Sequence, residues 1–178
     1  GLGDVYKRQG YEDKVQAYQV TKLNLMDTDG SNKRELSFDL DRNLSALSWS
    51  KDGQGLYFQY EGQGDTKIGY ADLQGRFTTV AEGLGGTSIG RPYGGGSNTQ
   101  SKDGTLAFTF CTAYHPAEVA VASIKNASQS LTDLNGDILR HRDLGEVEEI
   151  RYRSTFDELP IQGWVVKPPD FEEDKQYP

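Results

Sequence analysis

The run Ser-Lys-Asp-Gly at residues 50–53, with Leu-Tyr-Phe following at 56–58, decides the fold of this chain because it occurs twice. The same four residues return 51 positions later, at 101–104, and Leu-Ala-Phe follows them at 106–108. In a turn of this composition the aspartate accepts hydrogen bonds from its own backbone, and the glycine supplies the positive φ that closes a hairpin. The repeat therefore predicts two hairpins that are built in the same way.

A second motif, Asp-x-x-Gly, also repeats. It stands at 27–30 after Lys-Leu-Asn-Leu-Met, and 45 positions later at 72–75 after Lys-Ile-Gly-Tyr-Ala. Residues 118–124 are a weaker third copy of the strand that precedes it. Each unit is predicted to contain a strand, a Ser-x-Asp-Gly turn, a strand, a loop, a strand, an Asp-x-x-Gly turn and a short fourth strand. Tandem four-stranded units of about 40–50 residues are typical of β-propeller blades, and the chain holds about two and a half of them. The alternative is a simple antiparallel meander.

Composition agrees with short strands and tight turns. The 178 residues include 21 glycines, 10 tyrosines and 7 phenylalanines, which favours antiparallel strands over helices. No run approaches the roughly 20 apolar residues that span a bilayer. The net charge is −8 and the basic residues are scattered, so a nucleic-acid partner is not expected.

The last part of the chain carries a resemblance to a known family. Residues 147–154 and 159–166 predict two strands joined by a polar turn at 156–158, and Lys-Pro-Pro at 167–169 and Lys-Gln-Tyr-Pro at 175–178 follow them. This series resembles the start of the catalytic domain in the prolyl oligopeptidase family of serine peptidases, of the acylaminoacyl- or dipeptidyl-peptidase-like kind. The run Arg-Pro-Tyr-Gly-Gly-Gly, which begins at Arg91, also resembles bacterial members. One departure is Glu158, which stands where the family often has glycine.

The resemblance implies an all-β fold and a division of the chain. Residues 10–143 are expected to form the last blades of a β-propeller, made of four-stranded antiparallel units. Residues 144–178 are expected to form the first β-hairpin of a truncated α/β-hydrolase domain. Residues 1–9 are interpreted as a processing scar, because Asp-Val-Tyr-Lys-Arg-Gln at 4–9 back-translates to the transposase end of a sequencing adaptor.

The same resemblance implies that the parent protein hydrolyses peptide bonds in short peptides. A serine would attack the scissile carbonyl, a histidine would relay the proton and an aspartate would orient the histidine. This triad is expected beyond Pro178, so the chain alone is expected to be inactive, with no catalytic residue, cofactor or metal of its own. The expected partners are peptide substrates and the α/β-hydrolase domain of the same chain. Compartment and oligomeric state stay open.

Several motifs suggest chemistry but lack the structural setting for it. Gly-Thr-Ser-Ile-Gly at 86–90 fits the nucleophile elbow, which needs a buried strand before Ser88 and a helix after it, and the sequence predicts neither. His115 and His141 stand in polar loops, without zinc-ligand spacing. Arg91 and Tyr93 are the residues predicted to contact substrate as a gate, because loops between blades can face the central cavity. The alternative for Arg91 is an ion pair at the rim of a blade.

Three glutamates, Glu146, Glu148 and Glu149, surround the first strand of the hairpin, and at least one is predicted to form a salt bridge or to lie at a sheet edge. The competing function is a non-enzymatic binding propeller, resembling that of the periplasmic Tol system, which shares the Ser-x-Asp-Gly turn. The hairpin that contains Trp164 and the Lys-Pro-Pro segment after it argue against that alternative, because a pure propeller has no use for them.

Overall fold

The structure, a computed structural model, describes residues 5–10 (backbone only), 15, 17–36, 38–86 and 95–177. The first sheet has three strands in the order β1-β2-β3: β1 (Val5–Gly10), β2 (Lys22–Asp27) and β3 (Arg34–Glu35). The strand β1 pairs antiparallel with β2 along its whole length, from Val5 opposite Asp27 to Gly10 opposite Lys22. The backbone of residues 5–9 therefore forms part of this sheet, and their interpretation as a scar stays a prediction.

Two four-stranded antiparallel sheets follow. The second sheet contains β4 (Leu44–Trp49), β5 (Gly55–Gly62), β6 (Asp65–Asp72) and β7 (Phe77–Ala81), and the third contains β8 (Asn98–Gln100), β9 (Leu106–Phe110), β10 (Glu118–Ala122) and β11 (Gln129–Ser130). In both sheets each strand pairs with its neighbours in sequence. The predicted four-stranded antiparallel units are confirmed, and their form is consistent with propeller blades.

A separate hairpin ends the described part of the chain. One helical turn, α1 (Gly136–Leu139), precedes the strands β12 (Val147–Arg153) and β13 (Pro160–Val166). These strands pair antiparallel in full register, which confirms the predicted pair of strands, while their assignment to an α/β-hydrolase domain stays a prediction. In the turn between them Glu158 has a φ of 60°, a conformation that glycine adopts with less strain. The residue that departs from the resemblance is thus one with a left-handed backbone.

Both Ser-x-Asp-Gly turns form as predicted. The Ser50 hydroxyl donates to the Asp52 carboxylate at 2.6 Å, and that carboxylate also accepts the backbone N–H of Gln54 at 3.0 Å. The later turn is equivalent, because the Ser101 hydroxyl and the Thr105 N–H both donate to Asp103. The turn glycines have φ values of 70° and 86°. The two turns share the serine–aspartate hydrogen bond but close one residue apart, because the Ser50 N–H donates to the Gly55 carbonyl whereas the Ser101 N–H donates to the Thr105 carbonyl.

The turn before the fourth strand differs between the two sheets. In the second sheet, Asp72 accepts the backbone N–H groups of Gln74 and Arg76, each at 2.9 Å. In the third sheet, Ser123 takes this place and its hydroxyl oxygen accepts the N–H of Asn126 at 3.0 Å. The strand after it, β11, has two residues whereas β7 has five. The weaker third copy in the sequence is thus a serine-capped turn with a shorter outer strand.

The core lies between the sheets. One cluster joins the first and second sheets and includes Leu23, Leu25, Leu44, Leu56 and Phe58. A second cluster joins the second and third sheets and includes Tyr57, Ile68, Leu84, Leu106 and Phe108. The strand β5 contributes to both clusters, because its side chains alternate between the two faces of the sheet. The three sheets therefore stack face to face, as adjacent blades do.

No helix in the described ranges combines the length and the apolarity that crossing a membrane requires.

We expect the stability of the stacked sheets to fall on acidification, because hydrogen bonds hold the pKa of two turn carboxyls below the usual value. The donors are Ser50 and then Gln54 for Asp52, and Ser101 and then Thr105 for Asp103. Such a group contributes its full stabilisation above the unfolded-state pKa of about 3.9 and loses it as the pH falls through the lower folded-state value. The double variant D52N/D103N should have a lower free energy of unfolding at pH 7 and a shallower decline below about pH 5.

Urea unfolding at a series of pH values measures this difference. The exposed Asp174, replaced by asparagine, serves as the matched control and should follow the parent protein. A double variant whose stability declines in parallel with that of the parent would show that these carboxylates contribute nothing.

Candidate functional site

The topology places three connections at the same end of the sheets. In a four-stranded meander, the connection after the second strand and the connection after the fourth strand lie at the same end of the sheet. The loop face, as we call this end, therefore carries the β5–β6 turn at 63–64, the described ends of the β7–β8 connection at 82–86 and 95–97, and the β9–β10 connection at 111–117. The Ser-x-Asp-Gly turns lie at the opposite end. Loops that a rigid scaffold brings together in this way are the usual place for binding residues.

The β5–β6 connection, which the repeat predicts only as a loop, is a two-residue turn. Gln63 and Gly64 have φ values of 57° and 74°, as in the type I′ turn that matches the twist of paired strands. A close contact also favours glycine at position 64. A Cβ built on Gly64 would lie 2.3 Å from Cη2 of Trp164, so the indole of the hairpin rests directly on the turn.

A second contact fixes the hairpin to the loop face. The backbone N–H of Val147, the first residue of β12, donates to the Tyr114 hydroxyl at 2.8 Å. Tyr114 belongs to the β9–β10 connection, whereas Gly64 belongs to the β5–β6 turn. The hairpin therefore contacts loops of both four-stranded sheets.

Asp65 connects the two sheets beneath the hairpin. Its carboxylate accepts the backbone N–H of Gly83 at 2.8 Å, and the Gly83 carbonyl accepts the N–H of Cys111 at 2.9 Å. Beside them the Leu84 N–H donates to the Thr66 carbonyl at 3.0 Å. The segment after β7 is thus held between the start of β6 and the end of β9.

The electrostatics around Asp65 disfavour a nucleophile at this point. Burial raises the pKa of the Asp65 carboxyl, and the hydrogen bond from Gly83 opposes the rise. Burial also raises the pKa of the Cys111 thiol, and the nearby Asp65 charge adds to that effect. The Lys67 ammonium lies 2.7 Å from Glu82 and forms an ion pair with it. Both effects disfavour the thiolate form of Cys111, which is the form that covalent catalysis requires.

Two open clefts share the wall formed by residues 63–66. The inner cleft, of about 840 Å³, lies beside β4 and includes Tyr18, Arg42, Gln59 and Glu61. The hairpin cleft, of about 960 Å³, lies between the two four-stranded sheets and the hairpin. Its lining includes Val80, Leu84, Phe110, Cys111 and Trp164. Asp65 lines both clefts.

Both faces of the hairpin are partly exposed: Trp164 is 48% and Val166 is 70% exposed on the face that contacts the sheets, and Ile150 on the other face is half-buried. Cross-strand pairing places Trp164 opposite Glu149 and Val147 opposite Val166 on the face that meets the sheets. The outer apolar face of the hairpin consists of Ile150, Tyr152, Ile161 and Val165. Tyr152 is 56% exposed, and Val165 is 40% exposed. Next to this face the Lys167 ammonium lies 2.8 Å from Glu148 and 3.5 Å from Glu146, which confirms the predicted salt bridge.

The predicted gate residues, Arg91 and Tyr93, lie outside the described residues, as does Ser88. The residues that flank them, Gly86 and Gly95, belong to the connection at the loop face, and Gly95 lines the inner cleft. The role of Arg91 and Tyr93 stays a prediction. Both histidines, His115 and His141, are exposed, as their loop positions predict.

In the ranges that the structure describes, no three His, Cys, Asp or Glu side chains lie close enough to hold a metal ion.

Comparison with known proteins finds similarity to peptidases and to TolB. The chain is 24% identical over 130 residues to the uncharacterized peptidase YuxL of Bacillus subtilis (strain 168), a match that covers 73% of this chain and 19% of the relative. The AtxE2 isopeptidase structure with Astexin3-dC4 bound has a TM-score of 0.73 at 16% identity and covers 99% of this chain and 26% of its own. An acylaminoacyl peptidase in complex with Z-Gly-Gly-Phe-chloromethyl ketone has a TM-score of 0.68 at 20% identity, over 97% of this chain and 25% of its own.

The structure of TolB from Acinetobacter baumannii has a TM-score of 0.53 at 15% identity, over 94% of this chain and 41% of its own. No protein-family model matches. The chain thus spans about a fifth of the curated relative and about a quarter of the two peptidase structures. At these identities the structural matches show a shared fold.

Replacing Gly64 by alanine should displace the indole of Trp164. Gly30 provides a matched control, because its φ of 86° imposes the same strain on an added Cβ while no atom lies within 4 Å of that position. Both variants should lose about 1 kcal/mol from the left-handed backbone. With 5-fluorotryptophan labelling, the ¹⁹F resonance of Trp164 should move in G64A, and neither tryptophan resonance should move in G30A. Equal spectra for the two variants would mean that the indole does not rest on this turn.

Two replacements of Asp65 separate the effect of its charge on stability from the effect of its hydrogen bond. A raised folded-state pKa means that the stability contributed by this carboxyl is fully present below about pH 3.9 and declines as the pH rises through the folded-state value. Asp65→Asn keeps an acceptor for the Gly83 N–H, so we expect it to unfold at higher urea concentration than the parent at pH 7 and at the same concentration near pH 3. Asp65→Ala should be less stable than Asp65→Asn by about 1 kcal/mol, because the N–H loses its partner. If Asp65→Asn were the less stable protein at pH 7, the carboxylate would be net stabilising.

Proposed function

We propose that this chain belongs to a serine peptidase of the prolyl oligopeptidase family that hydrolyses peptide bonds in short peptides. The observation that carries the proposal is the docked hairpin: Trp164 on Gly64 and Val147 on Tyr114 join a β-hairpin to the loop face of propeller-like sheets. The two peptidase structures match 97% or more of the chain, with higher TM-scores than TolB. The curated relative of similar sequence is also named a peptidase.

Within that protein, residues 10–143 would form blades of the propeller and residues 144–178 would begin the α/β-hydrolase domain. The outer apolar face of the hairpin supports this division. A two-stranded hairpin with an exposed apolar face is at best marginally stable alone, and further strands or a packed layer normally cover it. We propose that the hydrolase domain covers Ile150, Tyr152, Ile161 and Val165.

The hydrolase domain would then carry the catalytic residues, and the blades would restrict which peptides reach them. A serine, a histidine and an aspartate of the hydrolase domain would form the triad, and backbone amides would bind the oxyanion. Among the described residues, burial disfavours the thiolate form of Cys111, and the Asp65 carboxylate is hydrogen-bonded to Gly83. Arg91 and Tyr93 would contact peptide substrates from the loop face. The 178-residue chain would therefore have no hydrolytic activity of its own.

A binding propeller of the Tol type is the second candidate. It is supported by the TM-score of 0.53 with TolB over 94% of the chain. It offers no role for the docked hairpin or for the ion cluster of Lys167 with Glu146 and Glu148, and for this reason we rank it second.

Sequencing the gene on both sides of the encoded segment tests the proposal. We expect an apolar strand, a His-Gly-Gly-Pro loop and a Gly-x-Ser-x-Gly elbow after residue 178. The complete protein should then release p-nitroaniline from short peptide p-nitroanilides, and alanine at the elbow serine should abolish this activity. The 178-residue chain is the matched negative control. A further blade or a stop codon in place of those motifs would overturn the proposal in favour of the binding propeller.

A further inference from the structure

The hairpin cleft has the size and composition of a ligand site. Its volume of about 960 Å³ falls within the range of small-molecule and side-chain pockets, roughly 300–1,000 Å³. Its lining includes two aromatic residues, Phe110 from β9 and Trp164 from β13, and the aliphatic residues Val80, Ala81 and Leu84. An apolar group placed in the cleft would lose part of its contact with water.

The charges of the lining select against an anionic occupant. Among the described residues that line the cleft, Asp65 and Glu82 are charged and none is a lysine or an arginine. Glu82 is already paired with Lys67, so the charge that a ligand would meet is that of Asp65. A like charge on the ligand would be repelled, and a neutral or basic ligand would not.

Asp65 is also the best-placed hydrogen-bond acceptor of the cleft. It accepts the backbone N–H of Gly83 at 2.8 Å, a second backbone hydrogen bond comes from Thr66, and a carboxylate offers about four lone-pair positions. A donor on the ligand would offset part of the desolvation that raises the pKa of this carboxyl. The apolar lining and the carboxylate acceptor therefore favour a ligand in which an apolar group lies next to an N–H donor.

We propose that the hairpin cleft binds a large apolar side chain of a neutral or basic peptide, with an N–H of that peptide donating to Asp65. The inference rests on the proposed function and adds a substrate preference to it. Because one wall is Trp164, the site is complete only when the hairpin is docked on Gly64. Binding of such a peptide and docking of the hairpin therefore stabilise each other.

Cys111 makes the test direct, because it is the chain's single cysteine and lines the cleft. The rate at which a thiol reagent modifies it in the 178-residue protein reports occupancy. The probes are three matched peptides, Ac-Ala-Phe-Ala-NH2, Ac-Ala-Ala-Ala-NH2 and Ac-Ala-Glu-Ala-NH2. At a concentration equal to Kd half of the sites are filled, so the phenylalanine peptide should slow modification about twofold there and further above it. The other two peptides should leave the rate unchanged at the same concentration.

Two variants show where the peptide binds. Ala113 is exposed and lines the cleft, so Ala113→Trp should slow the modification of Cys111 without peptide and remove the effect of the phenylalanine peptide. Lys125→Trp places the same ring in an exposed turn outside the lining and should behave as the parent. Circular dichroism and urea unfolding establish that both variants are folded.

The outcomes separate this inference from the proposed function. Equal protection by all three peptides, or no protection by the phenylalanine peptide, would overturn the inference; the second result would also be expected if another part of the protein occupies the cleft. Selective protection would support the inference even if the gene encoded no hydrolase domain. A confirmed peptidase without protection of Cys111 would refute only the inference.

Discussion

The burial of β5 on both of its faces is the constraint on which the rest of the structure depends. Leu56 and Phe58 are almost fully enclosed by the first sheet, and Tyr57 is enclosed by the third. A strand buried in this way requires a sheet on each side of it, stacked closely enough for side chains to interdigitate. Stacking then brings the connections of neighbouring sheets to one end. The loop face and both clefts follow from the packing of this strand.

Gly64 shows how local turn geometry and docking meet at one residue. The two-residue turn between β5 and β6 needs positive φ values, which favours glycine on backbone grounds alone. The absence of a side chain also lets the indole of Trp164 approach the backbone. The glycine of the β5–β6 turn is therefore also the residue that the β12–β13 hairpin contacts. The wall between the clefts, residues 63–66, is anchored by the same turn.

The features that could be predicted from the sequence are those with local causes. The turns at 50–53 and 101–104 depend on residues within about five positions of one another, so the repeated sequence produced the same serine–aspartate hydrogen bond in both. The pairing of the strands followed, because each strand joins its neighbour in sequence. The candidate site was not predictable in this way. Asp65 meets Gly83 across 18 positions, and Cys111 reaches Gly83 only because the second and third sheets stack.

A sequence signal did exist for the turn beneath Trp164. Gly-Gln-Gly-Asp at 62–65 separates two strand-like runs and is typical of a short hairpin turn. Nothing in those four residues indicates that the aspartate is half-buried, since its burial comes from segments elsewhere in the chain. The cost of desolvating this carboxyl is offset in part by the Gly83 N–H and by the nearby Lys67 charge. Asp65 lies at the junction of two sheets, a hairpin and two clefts, where a neutral side chain could accept the same N–H. Its charge adds a repulsion of anions that the fold does not require. Recognition of a ligand therefore explains this carboxylate better than stability does.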